Sequence, residues 1–464
     1  MERFFKLKEM GTDVKTEILA GFTTFLTMAY IIFVNPTMLS MTGMDKGAVF
    51  VATILAAAIG TFIMAFVANV PFAQAPGMGL NAFFTFTVVF GMGFSWEQAL
   101  AMVFICGILN IIITVTKIRK MIIKAIPTSL QYAISGGIGL FIAYIGVKQA
   151  HFIQFTAEGV DKLSAVGEGG VFIDVVPAMV NFTDPVAQLA LIGLIITVVL
   201  MIKKSKSAIL IGILATTILG IFFGITQLPN LSEVNFAVPS LSPTLFKMDF
   251  AGLFENSQKT FVAIITIFAF SLTDTFDTIG TFLGTGRKSG IFDIHDEESV
   301  EKGTGFSSKL EKALFADATA TSIGALLGTS NTTTYVESAA GISQGGRTGL
   351  TSVVTGVLFL LCLFIAPIAG MVPEAATAPA LIVVGILMAE SLMKIDWADI
   401  NIAIPAFFTV IFMPFAYSIT TGVAAGFLFY SLGALIRGKG KEIHPILYIV
   451  TLLFIVSYVL NAFI

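Results

Sequence analysis

The stretch Asn331-Thr-Thr-Thr-Tyr-Val-Glu337-Ser-Ala-Ala340 decides the fold, because it places a carboxylate and several hydroxyls in a chain that is otherwise almost all apolar. A carboxylate at the centre of a membrane costs about 2.5 kcal/mol or more, so it needs a function or a very good partner. An earlier stretch, Gln74-Ala-Pro-Gly-Met-Gly-Leu-Asn-Ala-Phe-Phe84, likewise mixes helix breakers and amides with apolar residues. Two interrupted segments in different halves of one membrane chain are typical of a transporter.

Composition independently assigns the chain to the membrane proteins. Its 464 residues are 56% hydrophobic and 12% charged, and the mean hydropathy is +0.93. These values exclude a soluble globule and predict a polytopic protein embedded in the lipid bilayer. The net charge is only -3, and the basic residues fall in short loops, so no nucleic-acid partner is indicated. Cys106 and Cys362 both lie in apolar runs, so we expect no disulfide framework, metal or cofactor.

Apolar runs of the length needed to cross a bilayer number about fourteen. They cover residues 17–39, 48–70, 76–93, 97–116, 128–148, 186–202, 207–226, 258–283, 313–328, 331–346, 350–370, 377–393, 399–416 and 418–436. The chain then has a basic loop and a further apolar run within residues 437–464. The sequence leaves open whether residues 445–464 form an extra span or pack on the outside of the bundle.

The basic residues orient these runs. With this count, all the basic clusters fall on one side of the membrane, from Arg3 and Lys6 at the start to Arg437 and Lys439 near the end. The long loops at 149–184 and 227–257 carry few positive charges and lie on the other side. Since Lys and Arg collect in cytoplasmic loops, we expect a multi-pass plasma-membrane protein with a cytoplasmic N-terminus.

The division into seven plus seven runs predicts two inverted repeats, residues 1–226 and 258–436, joined by an extracellular loop at 227–257. In each half the third run is the interrupted one, and the stretch beginning at Asn81 can be laid over the one beginning at Glu337. Pro, Gly and β-branched residues precede both positions and disfavour helix. The sequence therefore predicts an all-α fold whose third and tenth spans contain a short extended segment, followed by a half-helix starting near Asn81 and near Glu337.

A third polar cluster runs from Ser271 to Thr281. Asp274 and Asp277 are three residues apart, so a helix places them on adjoining parts of one face. Two carboxylates this close in a low dielectric should not both be ionised, so the pair is a candidate for proton coupling, as is Glu337. The structural alternative is that an aspartate braces a broken helix through backbone N–H groups, and that Asn81 satisfies freed backbone in the same way.

Four motifs in order carry a resemblance to a known family. The stretches from Ala20 to Pro36, Gln74 to Phe84, Asp274 to Gly280 and Thr332 to Gly341 together resemble the adenine/guanine/hypoxanthine permeases, the purine branch of the nucleobase cation symporter 2 family. The resemblance covers essentially the whole chain. It implies fourteen spans, with a core domain at about 17–116 and 258–370 that holds the substrate. A gate domain would cover about 128–226 and 377–436, and the protein would form a homodimer.

The resemblance also implies a binding site. It places the site at positions in three spans: Gly79, Asn81, Asp274, Asp277 and Glu337, with Tyr335 as a further substrate contact. The uracil branch of the family has Glu-His-Ile-Gly-His where this chain has Asp277 to Thr281, and Tyr-Gly-Glu where this chain has Tyr335 to Glu337. Thr281 replaces a histidine, which argues against a histidine-based proton path.

Purine chemistry agrees with this site. A purine base presents N–H donors and ring acceptors around a flat apolar ring. Carboxylates at Asp277 and Glu337 would accept its N–H groups, Asn81 or half-helix N–H groups would donate, and Phe83 would cover the ring. The expected function is uptake of a purine nucleobase (hypoxanthine, guanine and/or adenine) together with a proton, with no enzymatic activity. The sequence does not choose among the purines or between proton and sodium.

Two alternatives belong to other classes. An anion exchanger or channel of the same fold would need a neutral or cationic site, whereas this chain puts acidic residues there. An intramembrane aspartyl hydrolase would use Asp274 and Asp277 as a catalytic pair, but such pairs normally come from two facing elements and these residues share one helical turn.

Overall fold

The structure is a computed structural model. It describes residues 2–116, 126–157, 164–166, 170–172, 175–227, 237–287, 289–292, 308–366 and 371–462.

The elements of the first half come in the order α1 (Glu2–Phe5), α2 (Val14–Met28), α3 (Ile31–Ser40), α4 (Lys46–Ile63), β1 (Gln74–Pro76), α5 (Met78–Ala82), α6 (Trp96–Val115), α7 (Thr128–Gln149), β2 (Ile153–Ala157), β3 (Ser164–Val166), β4 (Gly170–Phe172), β5 (Val175–Met179), α8 (Pro185–Ile202) and α9 (Ala208–Phe222). Those of the second half are α10 (Ser257–Thr281), α11 (Lys309–Leu327), β6 (Thr332–Thr334), α12 (Ser338–Ser343), α13 (Gly349–Leu361), α14 (Glu374–Ala389), α15 (Ile400–Phe415), α16 (Ile419–Ile436) and α17 (Pro445–Ala462). Three helices continue in π-helical turns, α4 over Met64–Ala68, α5 over Phe83–Gly91 and α10 over Phe282–Arg287.

Most predicted apolar runs correspond to one helix, whereas the run 17–39 is divided into α2 and α3 and the runs 76–93 and 331–346 each combine a strand and a helix. By length and composition, eight helical segments among the described residues can cross a membrane, the first of them α2 and α3 together. Five further apolar helices are shorter, among them α5 with its continuation and α9. The run after residue 445, left open by the sequence, forms α17, which packs on α16 and α10.

The helices pack in two groups. The first, which we call the crossing group, contains α2 to α6 and α10 to α13, with α11 against α6 and α13 against α2 and α4. The second, the six-helix group, contains α7 to α9 and α14 to α16, with α14 against α7 and α8, and α15 against α7 and α16. Glycine allows the closest of these approaches: a Cβ atom on Gly139 of α7 would lie 2.9 Å from the backbone oxygen of Gly385 in α14. We call the boundary between the two groups the seam.

Local sequence sets the helix ends. Ser95 and Gln98 form a capping box at the start of α6, and Ser308 and Glu311 form another at the start of α11. These side chains satisfy backbone N–H groups that no helical carbonyl can reach. Gly328 ends α11 with a φ of 97°, a conformation that favours glycine.

The centre of the crossing group is a pair of short strands from opposite halves of the sequence. β1 and β6 are antiparallel, with Gln74 opposite Thr334 and Pro76 opposite Thr332. A helix follows each strand, α5 after β1 and α12 after β6. The predicted extended segments and half-helices are therefore confirmed, with one adjustment. α5 starts at Met78 rather than near Asn81, directly after the extended residue Gly77.

Candidate functional site

The paired strands bring the starts of two half-helices together in the middle of the crossing group. Every residue of both strands is buried. Pairing is extended by the N–H of Gly77, which donates to the carbonyl of Asn331 at 2.9 Å, and by that of Tyr335, which donates to Ala73 at 3.0 Å. Hydrogen bonding between the strands satisfies backbone groups that would otherwise be unpaired in hydrocarbon. The first N–H groups of α5 have no carbonyl partner within that helix, so its start can donate to a ligand. Those of α12 differ, because the N–H groups of Ser338, Ala339 and Ala340 donate to the carbonyls of Tyr335, Val336 and Glu337.

Glu337 lies at the start of α12, immediately before its first residue. Its side chain is partly exposed, and its Oε1 atom accepts a hydrogen bond from the hydroxyl of Tyr30 at 2.7 Å. Tyr30 stands at the break between α2 and α3. The neighbouring Tyr335 donates its hydroxyl to the carbonyl of Pro76 at 2.6 Å, and the two tyrosine rings are 6.5 Å apart. Tyr30 and Tyr335 therefore hold Glu337 at the end of the strand pair.

Asp277 reaches the same place from α10. It is partly exposed, and no hydrogen bond to it is present among the described residues. The helix that carries it packs against β6 and against α5. The structure thus brings together three of the predicted site residues, Asp277, Tyr335 and Glu337.

Asp274 faces away from that cluster, although it is on the same turn of α10 as Asp277. It is fully buried, and its Oδ2 atom accepts from the amide of Asn110 at 2.9 Å and from the hydroxyl of Thr321 at 3.3 Å. Its Oδ1 atom has no hydrogen-bond partner in the described part of the chain. Asp274 therefore ties α10 to α6 and α11 through side-chain donors rather than through the backbone N–H groups of the structural alternative. As a proton-coupling group, Asp274 stays a prediction.

Asn81 and Phe83 are also packed inside the crossing group. Both are fully buried; Asn81 accepts a hydrogen bond from the hydroxyl of Ser330, and the ring of Phe83 lies 4.5 Å from that of Phe270. Within the described residues, no hydrogen bond or ring contact joins either of them to Glu337 or Asp277. As substrate contacts, Asn81 and Phe83 stay predictions.

Gly79 lies where the half-helix α5 meets the six-helix group. A Cβ atom on Gly79 would be 2.7 Å from Cγ2 of Ile138 in α7. Because only glycine fits this contact without displacing Ile138, α5 approaches the seam more closely here than a residue with a side chain would permit.

Sequence reasoning missed Asp317, the most strongly hydrogen-bonded acid of the region. It lies in α11, is 4% exposed, and accepts from the backbone N–H of Thr334 at 2.8 Å, from the hydroxyl of Thr334 at 2.7 Å and from that of Thr278 at 2.8 Å. The side chain of Gln74 donates to it at 3.3 Å. One carboxylate thus joins both strands of the crossing to α10. The signal was present, because Asp317 is a carboxylate within the predicted span 313–328.

Tyr30 was missed as well. It falls within the motif from Ala20 to Pro36, which supported the family resemblance but was assigned no role. Its contact with Glu337 joins residues 307 positions apart, and nothing local in the sequence indicates it.

The chemistry of the cluster follows from its parts. Glu337 and Asp277 offer carboxylate oxygens that accept N–H groups, and the start of α5 offers N–H donors to carbonyls or ring nitrogens. A small polar ring would find both kinds of partner there. The close carboxylates also favour binding of a proton, because two charges in a low dielectric repel each other.

The fold resembles that of known membrane transporters. The chain matches the transmembrane domain of the cyanobacterial bicarbonate transporter BicA with a TM-score of 0.59 and 15% identity, over 89% of this chain and 97% of that one. At this identity the likeness concerns the fold alone.

Sequence comparison identifies the family. A model described as the permease family matches residues 15–425. The adenine permease AdeP of Escherichia coli is 41% identical over 99% of this chain and 96% of its own length. The guanine/hypoxanthine permease PbuG of Bacillus subtilis is 40% identical over 99% of each chain. The chain therefore belongs to the permease family, in its adenine/guanine/hypoxanthine branch, and is a membrane transporter rather than an enzyme.

Proposed function

We propose that this permease imports a purine nucleobase (hypoxanthine, guanine and/or adenine) by proton symport. The observation that carries the proposal is the position of Glu337 and Asp277 beside the ends of two half-helices, with Glu337 held by Tyr30. The names of the relatives AdeP and PbuG support a purine as substrate.

Recognition of the base would use both carboxylates. Ring N–H groups of the purine donate to Glu337 and Asp277, while the first N–H groups of α5 donate to its carbonyl oxygen or ring nitrogens. A neutral base whose N–H donors and acceptors match these partners is held in one orientation, since turning the base would leave a carboxylate oxygen without its N–H donor.

Coupling to protons would use the same carboxylates. Asp277 has a second charge close by and no hydrogen-bond partner in the described residues, so a proton on it removes a repulsion and supplies a donor. Binding of base and proton then favour each other, and the inward proton gradient can drive accumulation of the base. Asp274 would contribute by holding α10 in place.

The architecture we propose has fourteen spans in two inverted repeats, with both repeats contributing one broken span. The crossing group corresponds to the core domain and the six-helix group to the gate domain, and transport would move one against the other at the seam. A homodimer in the plasma membrane, with the N-terminus in the cytoplasm, completes the proposal. The packing of the two groups and the paired strands support the division into core and gate domains.

The anion-exchanger alternative rests on the fold shared with a bicarbonate transporter. Acidic side chains at the half-helix ends disfavour it, because carboxylates at Glu337 and Asp277 repel an anion.

The test is uptake of radiolabelled hypoxanthine into proteoliposomes with an imposed inward proton gradient, with adenine, guanine, xanthine and uracil as unlabelled competitors. We expect gradient-driven accumulation that some purines block and that Asp277→Asn and Glu337→Gln abolish. Glu255→Gln is the matched control, because it removes an exposed carboxylate in an ion pair with Lys259. Purine uptake unaffected by both site variants together would refute the mechanism. Bicarbonate or chloride flux without uptake of any base would establish the anion alternative.

A further inference from the structure

A cavity of about 320 Å³ lies in the seam, apart from the cluster at Glu337. The crossing group contributes Thr87, Met92 and Thr266 to its wall, and the six-helix group contributes Tyr417, Ser418 and Thr421. A neighbouring cavity of about 430 Å³ shares Met92 and Val262 with it and extends to Asn256 and Lys259 at the start of α10. The two cavities are therefore neighbours, one near the start of α10 and the other within the seam. We call the first of them the seam cavity.

The wall of the seam cavity suits a neutral polar ligand. Among the described residues that line it, none carries a charge, and the polar groups are hydroxyls of Thr, Ser and Tyr side chains. One of them, Oγ1 of Thr420, is buried and has no hydrogen-bond partner. Thr420 itself is 6% exposed. A buried hydroxyl without a partner is costly, and a ligand with donors or acceptors at its edge would satisfy it.

The start of α16 adds backbone donors to the same wall. Ser418 caps this helix, and the N–H of Ile419 donates across the seam to Oγ1 of Thr87 at 3.4 Å. This long hydrogen bond is a contact between the two helix groups. A ligand carbonyl or ring nitrogen in the cavity could accept from the same helix end.

Tyr417 places an aromatic ring in the cavity at a cost in backbone strain. Its φ is 51°, in the left-handed region that bulky residues rarely adopt. Strain of this kind is typical of functional sites, where the surrounding structure imposes it. The ring lies 5.6 Å from that of Phe86 and 5.3 Å from that of Phe141, and the ammonium of Lys148 is 5.1 Å from its centre. Aromatic neighbours from both helix groups therefore fix Tyr417 at the seam.

Size and chemistry together specify the class of ligand. Sites for drug-sized ligands have volumes of about 300–1,000 Å³, so the seam cavity is suited to a small one. Hydroxyls at the edge and aromatic rings on the sides match a flat heterocycle that carries no charge.

We propose that the seam cavity is a second binding site for a neutral nucleobase, occupied on the way to or from Glu337. This inference rests on the proposed function, because the ligand is the transported base. Since both helix groups form the wall, a base held there also resists relative movement of the groups until it leaves. The site is then a point at which the protein can select bases before they reach the carboxylates.

The test is protection of a single introduced cysteine. Thr421→Cys places a thiol in the wall, and the purified full-length protein is labelled with a fluorescent maleimide with and without hypoxanthine. Wild-type protein, whose two cysteines are buried, is the blank. Ser242→Cys is the matched control, because Ser242 is exposed and does not line either cavity.

Combination with Glu337→Gln separates the two sites. With hypoxanthine at about ten times its dissociation constant, about a tenth of the sites are free, so labelling of Thr421→Cys should slow about tenfold. The slowing should persist in the Thr421→Cys/Glu337→Gln protein and be absent for Ser242→Cys. Adding Tyr417→Ala to the double variant should raise the hypoxanthine concentration needed for protection about tenfold, through lost stacking.

Each other outcome overturns a defined statement. Protection that disappears with Glu337→Gln would mean that only the central site binds the base, and would refute the second site. The second site would also be refuted if hypoxanthine never slowed labelling of Thr421→Cys in a preparation that takes up hypoxanthine. A wild-type protein that takes up no purine would overturn the proposed function itself, and the second site with it.

Discussion

Asp317 gives the most demanding prediction, because one side chain joins both strands of the crossing to α10. Asp317→Ala would remove the acceptor of four donors. Besides the side chain of Gln74 at 3.3 Å, three shorter bonds would be lost, from the N–H and hydroxyl of Thr334 and the hydroxyl of Thr278. Hydrogen bonds to a charged group contribute about 1.5–3 kcal/mol each. For the three shorter bonds this adds up to about 4.5–9 kcal/mol. Relaxation of the surrounding structure and relief of the repulsion between Asp317 and Asp277 would reduce this loss. Whole domains are stable by about 5–15 kcal/mol, so we expect Asp317→Ala to lose both folded protein and uptake.

Asp317→Asn separates hydrogen bonding from charge. An asparagine oxygen can still accept from both donors of Thr334, and its NH₂ group can donate to the hydroxyl of Thr278, which is able to reverse its role. We expect it to lose only about 1–2 kcal/mol and to retain most of the folded protein.

The assay is the fraction of protein that stays monodisperse after heating in detergent, followed by size-exclusion chromatography, together with hypoxanthine uptake at equal protein amounts. Thr319→Ala is the control in the same helix, because among the described residues the Thr319 hydroxyl donates to the backbone carbonyl of Phe315 one turn earlier and does not reach the strands. An Asp317→Ala protein as heat-resistant and active as Thr319→Ala would refute the reasoning, since the strand crossing would then not depend on this carboxylate.

Three further predictions concern the site and its support. Tyr30→Phe removes the hydroxyl that donates to Glu337 at 2.7 Å. Because a hydrogen bond to a charged group is lost, we expect the hypoxanthine concentration for half-maximal uptake to rise about tenfold while the fold is preserved. An unchanged concentration would contradict the role given to Tyr30. Glu17 is fully buried and accepts from the backbone N–H groups of Arg347 and Thr351 at 2.8 and 3.0 Å. Glu17→Ala should therefore lower the free energy of unfolding by about 2 kcal/mol or more relative to Glu17→Gln, and less of it should survive heating. Equal survival of the two variants would argue against this. Gly79→Ala should lower the maximal uptake rate, because the new Cβ would press on Ile138. Gly433→Ala is the control and should not lower it, because nothing lies within 4 Å of the Cβ added there. The same rate for both variants would show that the approach of α5 to α7 is not critical.

The interrupted segments could be predicted from sequence because their cause is local. Pro76 and Gly77 disfavour helix by their own backbone chemistry, and the threonines before Tyr335 favour extended structure. The position of Glu337 follows directly, since the helix begins where those residues end. The start of α5 was placed three residues late because Gly79 was counted among the residues that disfavour helix, whereas the structure includes Gly79 in α5.

The contacts of the site could not be predicted in the same way. Which face of α5 meets the seam is decided by packing between distant segments, so sequence did not indicate that Asn81 would bond to Ser330 and Phe83 would pack on Phe270. The separation of Asp274 from Asp277 has the same origin. Their spacing places both near one face of a helix, but the amide of Asn110, far away in sequence, selects which carboxylate is buried.

The strand crossing has a consequence for biosynthesis. Pro76 and Tyr335, joined by a hydrogen bond at the crossing, are 259 residues apart. At a synthesis rate of about 5–20 residues per second, the ribosome needs on the order of 10–50 s to produce the second strand after the first. During that time β1 has no partner for its backbone, which is costly in hydrocarbon. We expect that the nascent first half keeps this segment outside the lipid or shielded by an insertion factor, and that the broken span becomes part of the membrane only when the second half arrives.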